Sequence, residues 1–194
     1  DFTLVALDDR SRDALHFYLH RNLGGLMPRI VPFEQYKADR LKETTGLLPL
    51  EEEEAFLRFY LLCRSLGRTA IPEETAQLFS FLRLLNRFSV GKEELRQLDR
   101  LTPEQWERIE GIFSLGEEYR QSLAKEGHFF LPFEEESFRS LGPRERDLFV
   151  GLPLLTPTHE AFLSKIPQGR LFLPEALFGP NFSQEKPEYE SAYH

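Results

Sequence analysis

Two imidazoles four residues apart on a helix can share a metal ion, and His16 and His20 have that spacing. The position that holds glutamate in the helical zinc-protease motif is Phe17 here, and no third ligand follows at a recognisable interval. The pair is therefore expected on a helix surface, with no metal assigned. Gly91-Lys92 is a lone dipeptide without the preceding glycine loop of a phosphate-binding sequence, and Gly24-Gly25 lacks the spacing of a dinucleotide fingerprint. No nucleotide or other cofactor is expected. Gly111-Ile112-Phe113-Ser114-Leu115-Gly116 has one residue too many before the serine for a nucleophile elbow and falls in a helical period, so Ser114 is expected to be an ordinary helix residue. The acidic runs Glu51 to Glu54 and Glu134 to Glu136 are expected to be solvated first turns that complement helix dipoles. Arg10 and Arg12 follow the first strand-like run, where open α/β sheets gather their ligands. With Arg29 they are the candidate nucleic-acid contacts, although pairing with Asp8, Asp9 or Asp13 competes for Arg10 and Arg12.

These residues must be positioned by elements, and the apolar pattern supplies them. Thr3 to Leu7 is a strand-length run closed by Asp8-Asp9; Leu15, Tyr18, Leu19 and Leu23 then repeat at helical spacing up to Gly24-Gly25, and 28–31 is extended between prolines. From about Leu41 to Gly127 the period is helical. One helix places Ala55, Phe56, Phe59, Leu62, Cys63 and Leu66 on a face, and a second offers Ala76, Leu78, Phe79, Leu82, Leu85 and Phe88. A third opens on Thr102-Pro103-Glu104-Gln105, a capping box with proline at its first position, and continues through Trp106, Ile109, Phe113, Tyr119 and Leu123. A small bundle with an aromatic core is expected, given 18 Phe in the chain. The strand period returns at 147–152 and 170–173, separated by a helix that starts at Thr156-Pro157 and carries Ala161, Phe162, Leu163 and Ile166. The expected fold is α/β: residues 1–42 and 141–175 form a discontinuous domain with one parallel sheet, 43–140 form a helical insertion, and 176–194 form a polar tail or linker.

Charge and composition bound the function. The chain has 194 residues and a net charge of −8, and residues 51–140 hold 12 basic against 18 acidic side chains. A segment at net −6 is poorly suited to wrap DNA. The single cysteine, Cys63, excludes an internal disulfide framework and a Cys-based zinc site. No signal peptide or long apolar run is present, so a cytoplasmic protein without membrane contact is expected. The chain lacks an initiator Met and its first strand-like run begins by residue 3, so it is expected to be a piece of a longer protein.

The order of strand, Arg-containing turn (Leu4 to Arg12), helix, Pro28-Arg29-Ile30-Val31-Pro32, helical insertion, Phe149-Val150-Gly151-Leu152-Pro153-Leu154-Leu155-Thr156-Pro157, helix and Leu171-Phe172-Leu173-Pro174 resembles a known arrangement. It is similar to the N-terminal helicase-like region of bacterial inactivated superfamily I helicases, the AddB-type subunits of helicase–nuclease complexes that process DNA double-strand breaks. The resemblance covers residues 3–174. It implies a P-loop-helicase-like sheet without the P-loop and no catalytic activity in this chain, since the family's nuclease domain and iron–sulfur cysteines are absent from these 194 residues. It also implies an architectural role in handling DNA ends and docking a helicase–nuclease partner subunit, with DNA contacted through the full-length protein. Two other readings come from the residues alone. One is a helical protein–protein interaction module unrelated to DNA, which fits the acidity and the aromatic richness. The other is an enzyme with His16 or His159 as general base. A basic groove joining Arg10, Arg12 and Arg29 favours DNA, whereas an exposed Phe/Leu patch on the helices favours a protein partner.

Overall fold

A computed structural model describes residues 3–23, 28–68, 71–97, 101–151 and 156–172. Along the chain the elements are β1 (Thr3–Ala6), α1 (Asp9–Leu23), β2 (Arg29–Pro32), α2 (Phe33–Thr45), β3 (Leu48–Pro49), α3 (Glu52–Ser65), α4 (Pro72–Arg87) and α5 (Lys92–Arg96). They continue with α6 (Pro103–Lys125), β4 (His128–Phe129), a 3₁₀ turn (Leu131–Phe133), α7 (Glu135–Ser140), β5 (Leu148–Val150), α8 (Pro157–Leu163) and β6 (Leu171–Phe172). Backbone contacts divide the described residues into two units. The first takes those within Asp1–Tyr36, Gly142–Leu154 and Leu163–His194; the second takes those within Lys37–Leu141 and Leu155–Phe162. The division falls inside α2 and assigns most of α8 to the second unit.

The first unit is built on a parallel sheet in the order β2-β1-β5-β6, so the four apolar runs expected to be neighbouring parallel strands pair as such. Leu4 lies between Ile30 and Leu148, and Val5 lies between Val31 and Phe149. Strand side chains alternate between faces. Leu4, Ala6 and Val150 therefore share one face, which packs with Leu15 of α1 and with the half-buried Leu19, Ile30, Leu148 and Phe172. On the other face Val5, Val31 and Phe149 are buried, and the Tyr36 ring meets Phe149 edge-on with centroids 5.5 Å apart. Tyr18, expected to face the core, is exposed, because the fifteen-residue α1 turns only a narrow stripe inward. The Gly24-Gly25 helix stop, the outer parts of the strand runs (Leu152, Leu173) and the 176–194 tail lie outside the described residues.

The second unit contains the three amphipathic helices expected from the sequence, α3, α4 and α6. Thr102 caps α6 as its motif predicts: the Gln105 amide donates to the Thr102 hydroxyl at 3.3 Å, and the Thr102 amide donates to Gln105 Oε1 at 2.9 Å. The core is a set of rings around Phe79, which stands 5.1 Å from Phe59, 5.4 Å from Phe130 and 5.7 Å from Phe133. Tyr119 closes the set against Phe59 at 5.2 Å, and its hydroxyl donates to the Ala55 carbonyl at 2.6 Å. Burial pushes the Tyr119 phenol well above its ordinary value.

Four features depart from the expected elements. Residues 33–45 form a helix where no helix was expected before about Leu41, because Phe33, Tyr36, Ala38 and Leu41 are its buried positions and the intervening charges obscure the period. Leu48 and Pro49 pair in parallel with His128 and Phe129, a two-residue ladder too short for any periodic signal. The helix from Pro157 ends at Leu163, short of Ile166. Glu134 to Glu136 do begin a helix, but Glu135 is not solvated: its carboxylate and the Lys37 ammonium, 2.8 Å apart, are both buried. A fixed cation 98 residues away in sequence overrides the usual preference of a helix-start glutamate for water.

Candidate functional site

Two places in this fold are candidates, and the sheet determines the first. The chain leaves β1 towards β2 on one side, whereas β5 and β6 lie on the other, so the strand order reverses between β1 and β5. Ligands of open α/β sheets bind beyond the carboxyl ends of the strands at such a reversal. Here that position is filled by the protein itself. Asp8 caps α1: the Ser11 amide donates to its Oδ1 at 2.7 Å and the Ser11 hydroxyl to its Oδ2 at 2.8 Å. The carboxylate thus takes the place that a phosphate oxygen takes at the N-terminus of a nucleotide-binding helix. Gly151, directly after β5, closes the crevice from the other side. Its φ is +109°, and a Cβ there would stand 2.2 Å from Asp8 Oδ2 and 2.5 Å from the Ser11 hydroxyl.

The three arginines expected to contact nucleic acid are not brought together. Arg12 is engaged by Asp9 at 2.9 Å and Asp13 at 3.2 Å, the local pairing that competes with a DNA role. Arg10 is exposed on α1. Arg29 starts β2 in register with Thr3, at the amino end of the sheet, whereas Arg10 and Arg12 lie beyond the carboxyl end of β1. His16 and His20 are both exposed on α1, and among the described residues no group of three or more His, Cys, Asp or Glu is placed to hold a metal. His159 is buried at the start of α8, where its amide donates to the Thr156 hydroxyl at 3.3 Å. Ser114 lies within α6 and donates to the Glu110 carbonyl at 2.9 Å. Cys63 is fully buried, and burial pushes its thiol up, which makes it inert as a nucleophile.

The second candidate is apolar and lies on the helical unit. Leu57 and Leu61 on α3, and Phe81, Leu84 and Phe88 on and just after α4, are between 42% and 55% exposed. Within each helix their spacings are three or four residues, so each set forms a stripe on an outer face. Phe88 was expected in the core with Leu82 and Leu85; it follows the last turn of α4 and lies outside. Phe81 and Leu84 fall outside the core-facing set expected for this helix, but nothing in the sequence pattern singled them out as a surface stripe. Away from that stripe, a cleft of about 140 Å³ opens between α4 and α6, lined by Leu82, Leu85, Val90, Phe113 and Phe133 with Gly116, Asn86, Glu117 and Arg120. The Arg120 guanidinium meets Glu134 through two hydrogen bonds of 3.2 and 3.1 Å and reaches Glu117 at 3.3 Å. These carboxylates raise the pKa of Arg120 against the desolvation that lowers it.

Comparison with known proteins returns no match, either to a protein-family model or to a curated sequence. Among the described residues no helix is long and apolar enough to cross a membrane.

Proposed function

We propose that this chain is a non-catalytic, helicase-like domain of a bacterial helicase–nuclease subunit for double-strand-break repair, and that its work is to dock a partner subunit through the helical segment. The observation that carries the reading is the occupied sheet reversal. In an active motor of this kind the first strand leads into a loop whose backbone cradles phosphates, whereas here it leads straight into a helix capped by Asp8. A carboxylate held there repels a phosphate group. The order of β1-α1-β2, a long helical excursion over residues 33–147, and then β5 and β6 supports the comparison with an interrupted motor domain.

The division of surfaces supports docking over DNA binding by this segment. Arg12 is paired within its own helix and Arg29 is at the far edge of the sheet, while α3 and α4 carry Leu57, Leu61, Phe81, Leu84 and Phe88 outward. Exposed apolar stripes on an acidic segment suit a protein surface better than a phosphate backbone. Isothermal titration of magnesium–ATP and anisotropy with a labelled oligonucleotide test the reading. We expect no nucleotide binding at micromolar concentrations. DNA binding is expected to be weak, to disappear as salt rises to physiological strength, and to fall further in Arg10→Ala plus Arg12→Ala. Micromolar, magnesium-dependent ATP binding would overturn the proposal, as would tight DNA binding that survives both substitutions.

A further inference from the structure

We infer that the outer face of α3 pairs with the same face of a second copy of this chain, the two helices running antiparallel about a two-fold axis. Ala55, Phe59 and Cys63 are the buried positions of α3. At about 3.6 residues per turn, Glu54, Leu57, Leu61 and Arg64 all lie within about 40° of the direction opposite Phe59. All four are exposed, and their spacings of three, four and three residues are those of a coiled-coil seam. The middle of the seam is apolar, with Leu57 and Leu61 at 55% and 52% exposed. A carboxylate stands at one end and a guanidinium at the other.

That order selects the occupant. In an antiparallel pair centred at residue 59, Leu57 of one copy meets Leu61 of the other and Glu54 meets Arg64, and the two-fold symmetry makes each contact twice. A parallel pair instead sets Glu54 against Glu54 and Arg64 against Arg64. A uniformly basic or uniformly acidic partner matches one end of the seam and is opposed by the other. The neighbouring charges keep the two ends distinct. At the acidic end Glu53 is exposed, and Glu54 accepts from Arg58 through Oε1, at 2.7 and 3.1 Å, which leaves Oε2 for the facing cation. Arg58 also meets Glu126, so Glu54, Arg58 and Glu126 together carry one negative charge. The cations of α4 do not cancel this end: α4 runs antiparallel to α3, Arg83 is engaged by Glu52, and Arg87 lies one turn further along, past the first residue of α3. At the basic end Arg64 stands over the Tyr60 ring at 6.0 Å, and Arg68 donates to the Gly111 carbonyl at 3.0 Å.

The contact is small. Ten residues of one helix span roughly 15 Å, which falls short of the roughly 1,200–2,000 Å² buried in stable complexes, so the pair is weak, with a Kd on the order of 100 μM. A partner subunit that docks on α3 displaces the second copy. The inference goes beyond the docking reading and is measured on the chain alone.

Sedimentation equilibrium of the whole chain, from about 10 μM to about 1 mM, is the test. A monomer–dimer equilibrium is expected. Leu57→Glu plus Leu61→Glu, at two exposed positions, should weaken association about tenfold or more. Glu54→Arg and Arg64→Glu, each alone, bring like charges together at both ends of the pair and should each weaken it about tenfold. Mixed in equal amounts, these two variants set opposite charges together at both ends and should associate as the unaltered chain does, a recovery that misfolded chains do not show. The inference is overturned if the chain stays monomeric throughout that range or if species larger than a dimer form. It is equally overturned if Leu57→Glu plus Leu61→Glu associates like the unaltered chain, or if either charge variant associates alone as well as in the mixture. Capture of a partner subunit at Leu57 is a separate observation that none of these results touches.

Discussion

Gly151→Ala is the sharpest probe of the crevice between β1 and β5. A non-glycine residue at φ +109° adopts a sparsely populated backbone conformation, at a cost of about 1–3 kcal/mol. The new methyl also overlaps Asp8 Oδ2 and the Ser11 hydroxyl, at 2.2 and 2.5 Å, so the cap must open. Losing an Asp cap costs about 1 kcal/mol. The expected total is about 2–4 kcal/mol, concentrated in the sheet unit. Asp8→Ala alone should cost about 1 kcal/mol. In that background Gly151→Ala meets one fewer obstructing atom and has no cap left to break, so its cost should fall by about 0.5–1 kcal/mol. Urea denaturation followed by circular dichroism measures the cycle. Exchange of the Leu7 amide, which donates to the Val150 carbonyl at 2.8 Å, reports on the sheet locally. If the two substitutions are additive, or if Gly151→Ala leaves Leu7 exchange unchanged, Asp8 does not occupy the crevice as described.

Three further outcomes are expected. Glu135→Gln or Lys37→Met should each destabilise the helical unit by about 3–5 kcal/mol in denaturant titration, because each leaves a buried partner uncompensated, and Lys37→Met plus Glu135→Leu should recover much of the loss. Because the folded-state pKa of Tyr119 is raised, chiefly by desolvation, its contribution is present in full below the ordinary phenol value of about 10 and is lost as pH rises from there through the folded value. Tyr119→Phe should accordingly flatten the alkaline fall in stability. Cys63 should resist a thiol reagent in the native protein and react at once in denaturant, and rapid native labelling would contradict its burial in the aromatic core.

The parts legible in the sequence were those with a period or a local motif. The parallel sheet followed from four short apolar runs alternating with helices, and the cap of α6 followed from Thr102, Pro103 and Gln105. The α2 helix was hidden because Lys37 occupies a core position, and its partner Glu135 is too distant in sequence for any window to join them. The Leu48-Pro49 ladder depends on a partner at 128–129 and has no pattern of its own. For the candidate sites, position beyond the first strand singled out the right region, but the residue types drew attention to Arg10 and Arg12 when Asp8, just before α1, holds the crevice. Phe88 continues the three-residue spacing of Leu82 and Leu85 and so reads as core, but it follows the last turn of α4 and is exposed, while Phe81 and Leu84 lie off the core face and have no pattern that marks them as a surface stripe.

Photo-crosslinking in the native host tests the central claim most directly. A photoreactive phenylalanine analogue is placed at Leu84 on α4 or Leu57 on α3, and at the exposed Gln168 as a control, and crosslinked chains are identified by mass spectrometry. A docking module of a helicase–nuclease complex predicts that positions 84 and 57 capture one and the same motor-type subunit, and that position 168 does not. Capture of that subunit equally at all three positions, or of no motor subunit at 84 and 57, would contradict it.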